Sequence, residues 1–335
     1  MRALVTGGGG FLGRYVVEQL RARGDTVRSF SRGRYPELEA LGVECVAGDL
    51  RDPAAVAPAV AGADVVFHVA SLAAAWGHYR DFHAINVRGT QNVIAACRVH
   101  GIRKLVYTST PSVAFPMGDL KGVDESQPYP PKFYAHYPAT KAQAEQLVLQ
   151  ANDATLSTCA LRPHLIWGPR DSHLLPMLAQ RARQGKLVQI GDGTNLIDIT
   201  YVEHAAAAHL LAADKLAPDT PVAGQAYFIS DGDPVSLWDF VGELLRRLDL
   251  PPPRRHLSAG TAMALATVLE AAHTILPCLG EPRLTRFLAS NFATSHYFDI
   301  SRARRDLGYA PSVSREEGLR RTVAWYHETF ADPKA

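Results

Sequence analysis

Arg2-Ala3-Leu4-Val5-Thr6-Gly7-Gly8-Gly9-Gly10-Phe11-Leu12-Gly13 opens the chain as a short apolar strand, a run of glycines and the head of a helical pattern. Gly7, Gly10 and Gly13 are spaced G-x-x-G-x-x-G, directly after a strand and at the start of a helix, the context that a dinucleotide-binding turn requires. The backbone must turn tightly there and approach a pyrophosphate that a Cβ would obstruct, while the helix N-terminus supplies free N–H groups and partial positive charge. Four glycines at a strand–helix junction destabilise the chain unless a ligand needs the room.

Working outward, strand and helix signals alternate. Thr26 to Phe30, Val43 to Ala47, Asp64 to Val69, Lys104 to Thr108 and Thr158 to Arg162 read as strands. Phe11 to Arg23, Asp52 to Val60, Tyr79 to His100 and Tyr137 to Gln150 read as the helices between them. The alternation predicts an α/β fold, a Rossmann-type doubly wound parallel sheet. Strands such as Asp64-Val65-Val66-Phe67-His68-Val69 are apolar without alternating, which suits a sheet covered on both faces.

After Arg162 the pattern breaks into prolines, short turns such as Gly191-Asp192-Gly193, and separate helices. The expected division is a dinucleotide-binding domain over residues 1–162 and a smaller, mostly substrate-binding lobe over 163–330, with some segments returning to the first domain. Leu257 to Leu279 is an apolar stretch of bilayer-spanning length. Glu270, His273 and Pro277 interrupt it, so the expectation is an amphipathic helix covering a substrate cleft, with surface membrane contact as the alternative.

With 35 Lys and Arg against 33 Asp and Glu, the net charge of +2 supports no general attraction for nucleic acid or anionic membrane, and a small-molecule partner is expected. Cys45, Cys97, Cys159 and Cys278 form no C-x-x-C pair, and the first three lie in apolar stretches, as reduced core cysteines do. Thirteen histidines include no metal-binding spacing, so no metal is expected, and His204 and His209, five apart, read as ordinary helix residues. Met1 to Thr6 runs straight into a strand with no basic and apolar leader, so a cytoplasmic protein is expected. The sequence leaves the oligomeric state, a homodimer included, open.

The chemistry is carried by Tyr137 and Lys141. At i and i+4 they share one face of a helix, where an ammonium favours the phenolate and lowers a pKa that is ordinarily about 10. Tyr107-Thr108-Ser109-Thr110 ends an apolar strand, which puts a hydroxyl at the carboxyl edge of the sheet. Thr110, with Ser109 as its rival, can donate to a substrate oxygen. At the end of the second strand, where NAD enzymes usually place a carboxylate, the chain has Ser31 and Arg32, with Arg34 close behind. NADP(H) is therefore the preferred cofactor. Asp49, after the third strand, is positioned to meet the adenine edge or to cap a helix.

The residues Thr6 to Gly13, Asn86, Thr108 to Thr110 and Tyr137 to Lys141 resemble the extended short-chain dehydrogenase/reductase superfamily over nearly the whole chain. Leu161 to Asp171, Gly191 to Asn195 and Asp198 to Glu203 are similar to its 3β-hydroxysteroid dehydrogenase branch, particularly sterol-4α-carboxylate 3-dehydrogenases and bacterial 2-alkyl-3-oxoalkanoate reductases. The resemblance implies hydride transfer between a nicotinamide and a secondary alcohol or ketone, with Tyr137, Lys141 and Thr110 catalytic. It also implies cofactor contacts at Ala70, Ser71 and Pro163 to Ile166, beside Gly7, Gly10, Phe11, Leu12, Gly13, Ser31, Arg32, Asp49, Leu50, Thr108, Tyr137 and Lys141. A bulky lipid substrate would lie against Trp76, Phe115 and Trp167, with His78, His164 or Arg170 toward a carboxylate. A 3β-hydroxysterol leads, possibly with a 4-carboxylate. The β-keto acid reductase is the runner-up, followed by a nucleotide-sugar epimerase or dehydratase and a non-enzymatic NADP(H)-sensing protein.

Overall fold

The computed structural model of the chain describes residues 1–172 and 174–330. Seven strands make one parallel sheet: β1 (Arg2–Thr6), β2 (Thr26–Ser31), β3 (Glu44–Ala47), β4 (Val65–His68), β5 (Lys104–Thr108), β6 (Ser157–Pro163) and β7 (Gln225–Ile229). Their order is β7-β6-β5-β4-β1-β2-β3, so chain direction across the sheet reverses between β1 and β4. Thr6 and His68 stand side by side at that switch point, the crevice where open α/β sheets take ligands.

Helical periodicity accounts for the layers. Helix Phe11–Ala22 buries Leu12, Tyr15, Val16, Val17 and Leu20, one apolar stripe against the sheet. Helix His136–Gln150 buries Lys141, Ala144, Glu145 and Val148 along its inward stripe, so that two charged residues occupy core positions. Long charged side chains are rarely buried without a partner, and this stripe marks the helix as more than packing. The helix expected from Tyr79 to His100 is divided. Tyr79–Phe82 and Gly89–Val99 are α-helical, and His83–Arg88 between them is a π-turn, a widened geometry that aims Asn86 inward.

Beyond β6 the chain leaves the sheet. Helices Leu174–Arg183, Leu237–Arg247, Ala259–Ile275 and Arg315–Phe330 contribute to a second core containing Leu178, Phe240, Leu245, Ala262 and Tyr326. Helix Val202–Lys215 and β7 return between these segments to complete the sheet. Strand His296–Phe298 pairs with Leu120–Val123, tying the late chain to the segment after β5.

Several expectations change here. The stretch from Leu257 to Leu279 is not one helix: Leu257 ends a strand, Ser258 caps helix Ala259–Ile275 through a bond from Thr261 N–H, and Pro277 lies in a separate short turn. That helix packs through Ala262, Ala266 and Glu270, the last paired with Arg286 at 2.6 Å, and leaves Leu265, Val268 and Ile275 exposed. Among the described residues no helix is long and apolar enough to cross a membrane. Cys97 and Cys159 are buried, whereas Cys45 is only half-buried because β3 is an edge strand, and Cys278 is exposed. His204 and His209 are buried anchors, not ordinary helix residues. His204 Nε2 accepts from the backbone N–H groups of Ser312 and Val313 at 3.1 and 2.9 Å, which leaves Nδ1 to donate to Asp231 at 2.7 Å.

Candidate active site

Gly7 has φ +72°, and a Cβ on it would come within 2.9 Å of the Ala70 backbone; a Cβ on Gly13 would sit 2.1 Å from the Gly7 carbonyl oxygen. Only hydrogen fits at either position, which lets the turn pass under Ala70 at the switch point. Helix Phe11–Ala22 starts at Gly10 with no side-chain cap and no acidic residue in its first turn. Its leading N–H groups therefore face the crevice unpaired by side chains, an arrangement that suits a pyrophosphate. Leu12 and Leu50 are buried and shape the floor, and Phe11 is half-buried. At the other end Ser31 Oγ accepts from Gly9 N–H at 3.5 Å, and Arg32 is exposed. The cradle fits the dinucleotide that the glycine spacing predicts.

The proton-handling pair lies on the other side of β4. Lys141 is buried, and its Nζ donates to the Thr108 carbonyl at 2.5 Å while standing 4.1 Å from the centre of the Tyr107 ring. Burial pulls its pKa down to about 7, opposed by the negative charge of Glu145. Tyr137 departs from expectation. Desolvation pushes the phenol up to about 12, and the group that draws it down is the Thr110 hydroxyl, not Lys141. The ammonium is directed at a backbone carbonyl and an aromatic face. Thr110 Oγ1 also bonds Ser112 Oγ at 3.2 Å, whereas Ser109 Oγ is buried with no hydrogen-bond partner among the described residues. Thr110 thus acts on the Tyr137 phenol, and the Ser109 hydroxyl stands unpartnered at the same end of β5.

Three supports were not legible in the sequence. Thr6 Oγ1 meets His68 Nδ1 at 2.8 Å, His68 Nε2 meets Thr90 Oγ1 at 3.0 Å, and Thr90 donates to the Asn86 carbonyl at 2.6 Å. Since Thr90 spends its proton on that carbonyl, His68 carries its hydrogen on Nε2; burial lowers its pKa to about 3 and keeps it neutral. Asn86 holds Leu72 through both backbone groups, at 2.7 and 3.1 Å, and donates to Thr140 at 3.1 Å. One amide therefore links the loop after β4, with Ala70 and Ser71, to the turn of helix between Tyr137 and Lys141. Thr108 Oγ1 lies 2.7 Å from His209 Nε2, whose Nδ1 faces the Ala205 carbonyl at 2.7 Å, fixing the end of β5 from behind.

Of the residues expected around a substrate, two converge. Phe115 and His164 both flank His296, at 4.6 and 6.0 Å between ring centres, and Phe115 also meets Phe287 at 6.3 Å. Pro163 is buried and Ile166 half-buried at the same edge. Trp76 is half-buried and His78 exposed, on the loop that leads into helix Tyr79–Phe82. Trp167 is not a cleft wall: it is buried in the second core against Tyr201 and Phe240, at 5.2 and 5.1 Å. Arg170 is likewise committed elsewhere, gripping Glu18 at 2.6 and 2.7 Å while stacked 4.0 Å over Tyr15.

Known proteins with this arrangement are informative. The model of the 3-beta hydroxysteroid dehydrogenase/isomerase family matches residues 4–259. A 2-alkyl-3-oxoalkanoate reductase of Stenotrophomonas maltophilia is 53% identical over 97% of this chain and 99% of its own length. A mouse (Mus musculus) decarboxylating sterol-4-alpha-carboxylate 3-dehydrogenase is 36% identical over 99% of this chain and 92% of its own. Among solved structures, MoeE5 in complex with UDP-glucose and NAD superposes with a TM-score of 0.76 at 25% identity, covering 98% of this chain and 99% of that one.

Proposed function

The chain belongs to the 3-beta hydroxysteroid dehydrogenase/isomerase family and is a nicotinamide-dependent oxidoreductase, and from that premise we propose that it reduces the 3-keto group of a 2-alkyl-3-oxoalkanoate, with NADP(H) preferred. The observation that carries the substrate is the full-length similarity to the Stenotrophomonas reductase, well above that to the sterol enzymes. It moves the keto acid ahead of the 3β-hydroxysterol favoured by the sequence motifs.

The side chains suit a carbonyl–alcohol interconversion. A phenol held up at about 12 is protonated at neutral pH, the form that donates a proton to a carbonyl oxygen becoming an alcohol. The Thr110 hydroxyl beside it is placed to bond the same oxygen and stabilise charge as it develops. Lys141, fixed by the Thr108 carbonyl, sets the floor beneath the pair and holds an exchangeable proton near neutrality. The nicotinamide, when bound, supplies the hydride that the carbonyl carbon receives. NADP(H) preference is supported by a hydroxyl in place of a carboxylate at Ser31 and by the exposed Arg32 next to it.

Oxidation of NADPH, followed by absorbance, tests this against a 2-alkyl-3-oxoalkanoate, a 4-carboxy-3β-hydroxysterol with NADP and a UDP-sugar with NAD. Consumption of NADPH with formation of the 2-alkyl-3-hydroxyalkanoate is expected. Turnover confined to the sterol or the UDP-sugar would overturn the proposal.

A further inference from the structure

Ser31, ending β2, and Asp49, just past β3, are brought together by the parallel register of Ser31 with Ala47 and by Gly48 N–H donating to the Ser31 carbonyl at 3.0 Å. This is the corner in which dinucleotide-binding sheets hold the adenosine ribose. Asp49 brings a carboxylate into it, but Arg51 occupies that carboxylate from both sides. Its backbone N–H and Nε donate to Oδ1 at 2.9 and 3.0 Å, and its Nε and Nη2 to Oδ2 at 3.1 and 2.6 Å. A carboxylate offers about four lone-pair directions, and three N–H groups of one arginine take most of them, the Nε–H being shared between the two oxygens. Most of the acceptor capacity of Asp49 is thus committed to Arg51, which also offsets its charge.

The positive side is better supplied. Arg51 is exposed, and its Nη1 makes no hydrogen bond among the described residues. Arg32 makes neither hydrogen bond nor ion pair among the described residues, yet lies near enough for its charge to act on Asp49. Two guanidiniums thus act on one carboxylate near the end of β2, and Asp81 acts on Arg51 from farther off. A planar fork held rigid by a neighbouring acid is pre-organised for bidentate contact with a phosphate.

We propose that Arg51 is a second reader of the adenosine 2′-phosphate, acting beside Arg32, and that Asp49 holds Arg51 in place. The assignment rests on the NADP(H) preference proposed above. It adds a residue after β3 to those expected at the end of β2, Ser31 and Arg32 with Arg34 close behind.

The test is a fluorescence titration of the full chain with NADPH, NADH and adenosine 2′,5′-bisphosphate, comparing wild type, R51A and the double variant R51A/D49N. R51A should weaken NADPH and the bisphosphate by roughly tenfold or more, the loss of a charge-assisted contact, and leave NADH within about twofold. The double variant should stay weak, since removing Asp49 does not restore the missing guanidinium. R51A with unchanged NADPH affinity, or with equal losses for NADPH and NADH, would overturn the role of Arg51. Recovery of NADPH affinity in the double variant would overturn it too, because repulsion by an unpaired Asp49 would then explain the loss. If the wild type favours NADH, the cofactor preference itself fails, and the Arg51 assignment falls with it.

Discussion

Glu145 and Arg162 form a two-bonded ion pair inside the core, at 3.0 and 2.6 Å, with Glu145 one helical turn beyond Lys141. The carboxylate also accepts from Tyr129 Oη at 2.7 Å, while Arg162 Nη1 is buried with no hydrogen-bond partner among the described residues. Glu145 thus serves two buried cations, Arg162 by contact and Lys141 through space. Removing one member of a buried pair leaves the other charge uncompensated. Glu145→Gln should therefore lower the unfolding free energy by about 3–5 kcal/mol in urea titration, against roughly 1 kcal/mol for Tyr129→Phe, which deletes one hydrogen bond. A Glu145→Gln loss no larger than that of Tyr129→Phe would mean that the pair does not anchor the helix.

Tyr137→Phe isolates the proton donor. It removes the phenol oxygen but leaves the ring and the Lys141–Thr108 bond in place. Turnover should fall by about two to four orders of magnitude, the usual contribution of a positioned acid, with NADPH binding within a few-fold of wild type. Retention of more than a tenth of wild-type activity would exclude Tyr137 as the donor.

Much of this was readable from local pattern. The glycine turn, the limits of β5 at Lys104 and Thr108, and the shared face of Tyr137 and Lys141 all follow from spacing over fewer than two helical turns. Contacts set by distant segments were not readable. The π-turn at His83–Arg88 inserts extra chain without a signature residue, so the continuous helix read from Tyr79 to His100 hid the placement of Asn86. The phenol was expected to be acidified by Lys141, but the ammonium is drawn off by the Thr108 carbonyl, a partner 33 residues away. Trp167 illustrates the ambiguity of aromatic residues, since periodicity cannot separate a cleft wall from a core ring until Tyr201 and Phe240 are seen against it.

Acid should destabilise the protein through its histidines. Burial depresses His68 and His164 to about 3 and His209 and His296 to about 4, whereas the unfolded chain protonates its histidines near 6.5. Between pH 6.5 and 4 the unfolded state thus binds more protons than the native one, so stability falls as pH falls through that window. Asp198, raised to about 6 by burial, works in the opposite direction, because the native state takes up its proton first. His136 is depressed and Glu125 raised in the same ways, and the histidines outnumber the two acids, so a net number of protons is taken up on unfolding near pH 5. Urea midpoints measured from pH 7 to 4.5 give that number from their slope. A pH-independent midpoint over this range would contradict the buried neutral histidines.

Ser31→Asp should reverse the cofactor preference. The Ser31 hydroxyl faces the glycine turn at Gly9 N–H, and an Asp carboxylate there would confront a 2′-phosphate while accepting from free ribose hydroxyls. Two unit charges about 4 Å apart repel by about 1 kcal/mol in water and about 4 kcal/mol near a protein surface. The ratio of kcat/KM for NADPH over NADH should accordingly drop by roughly tenfold to a thousandfold, and less at high ionic strength, where exposed charges are screened. Arg32 and Arg51 remain in the variant, so residual NADPH use is expected to exceed that of Ser31→Asp combined with R51A. An unchanged ratio in Ser31→Asp would place the 2′-phosphate away from the end of β2.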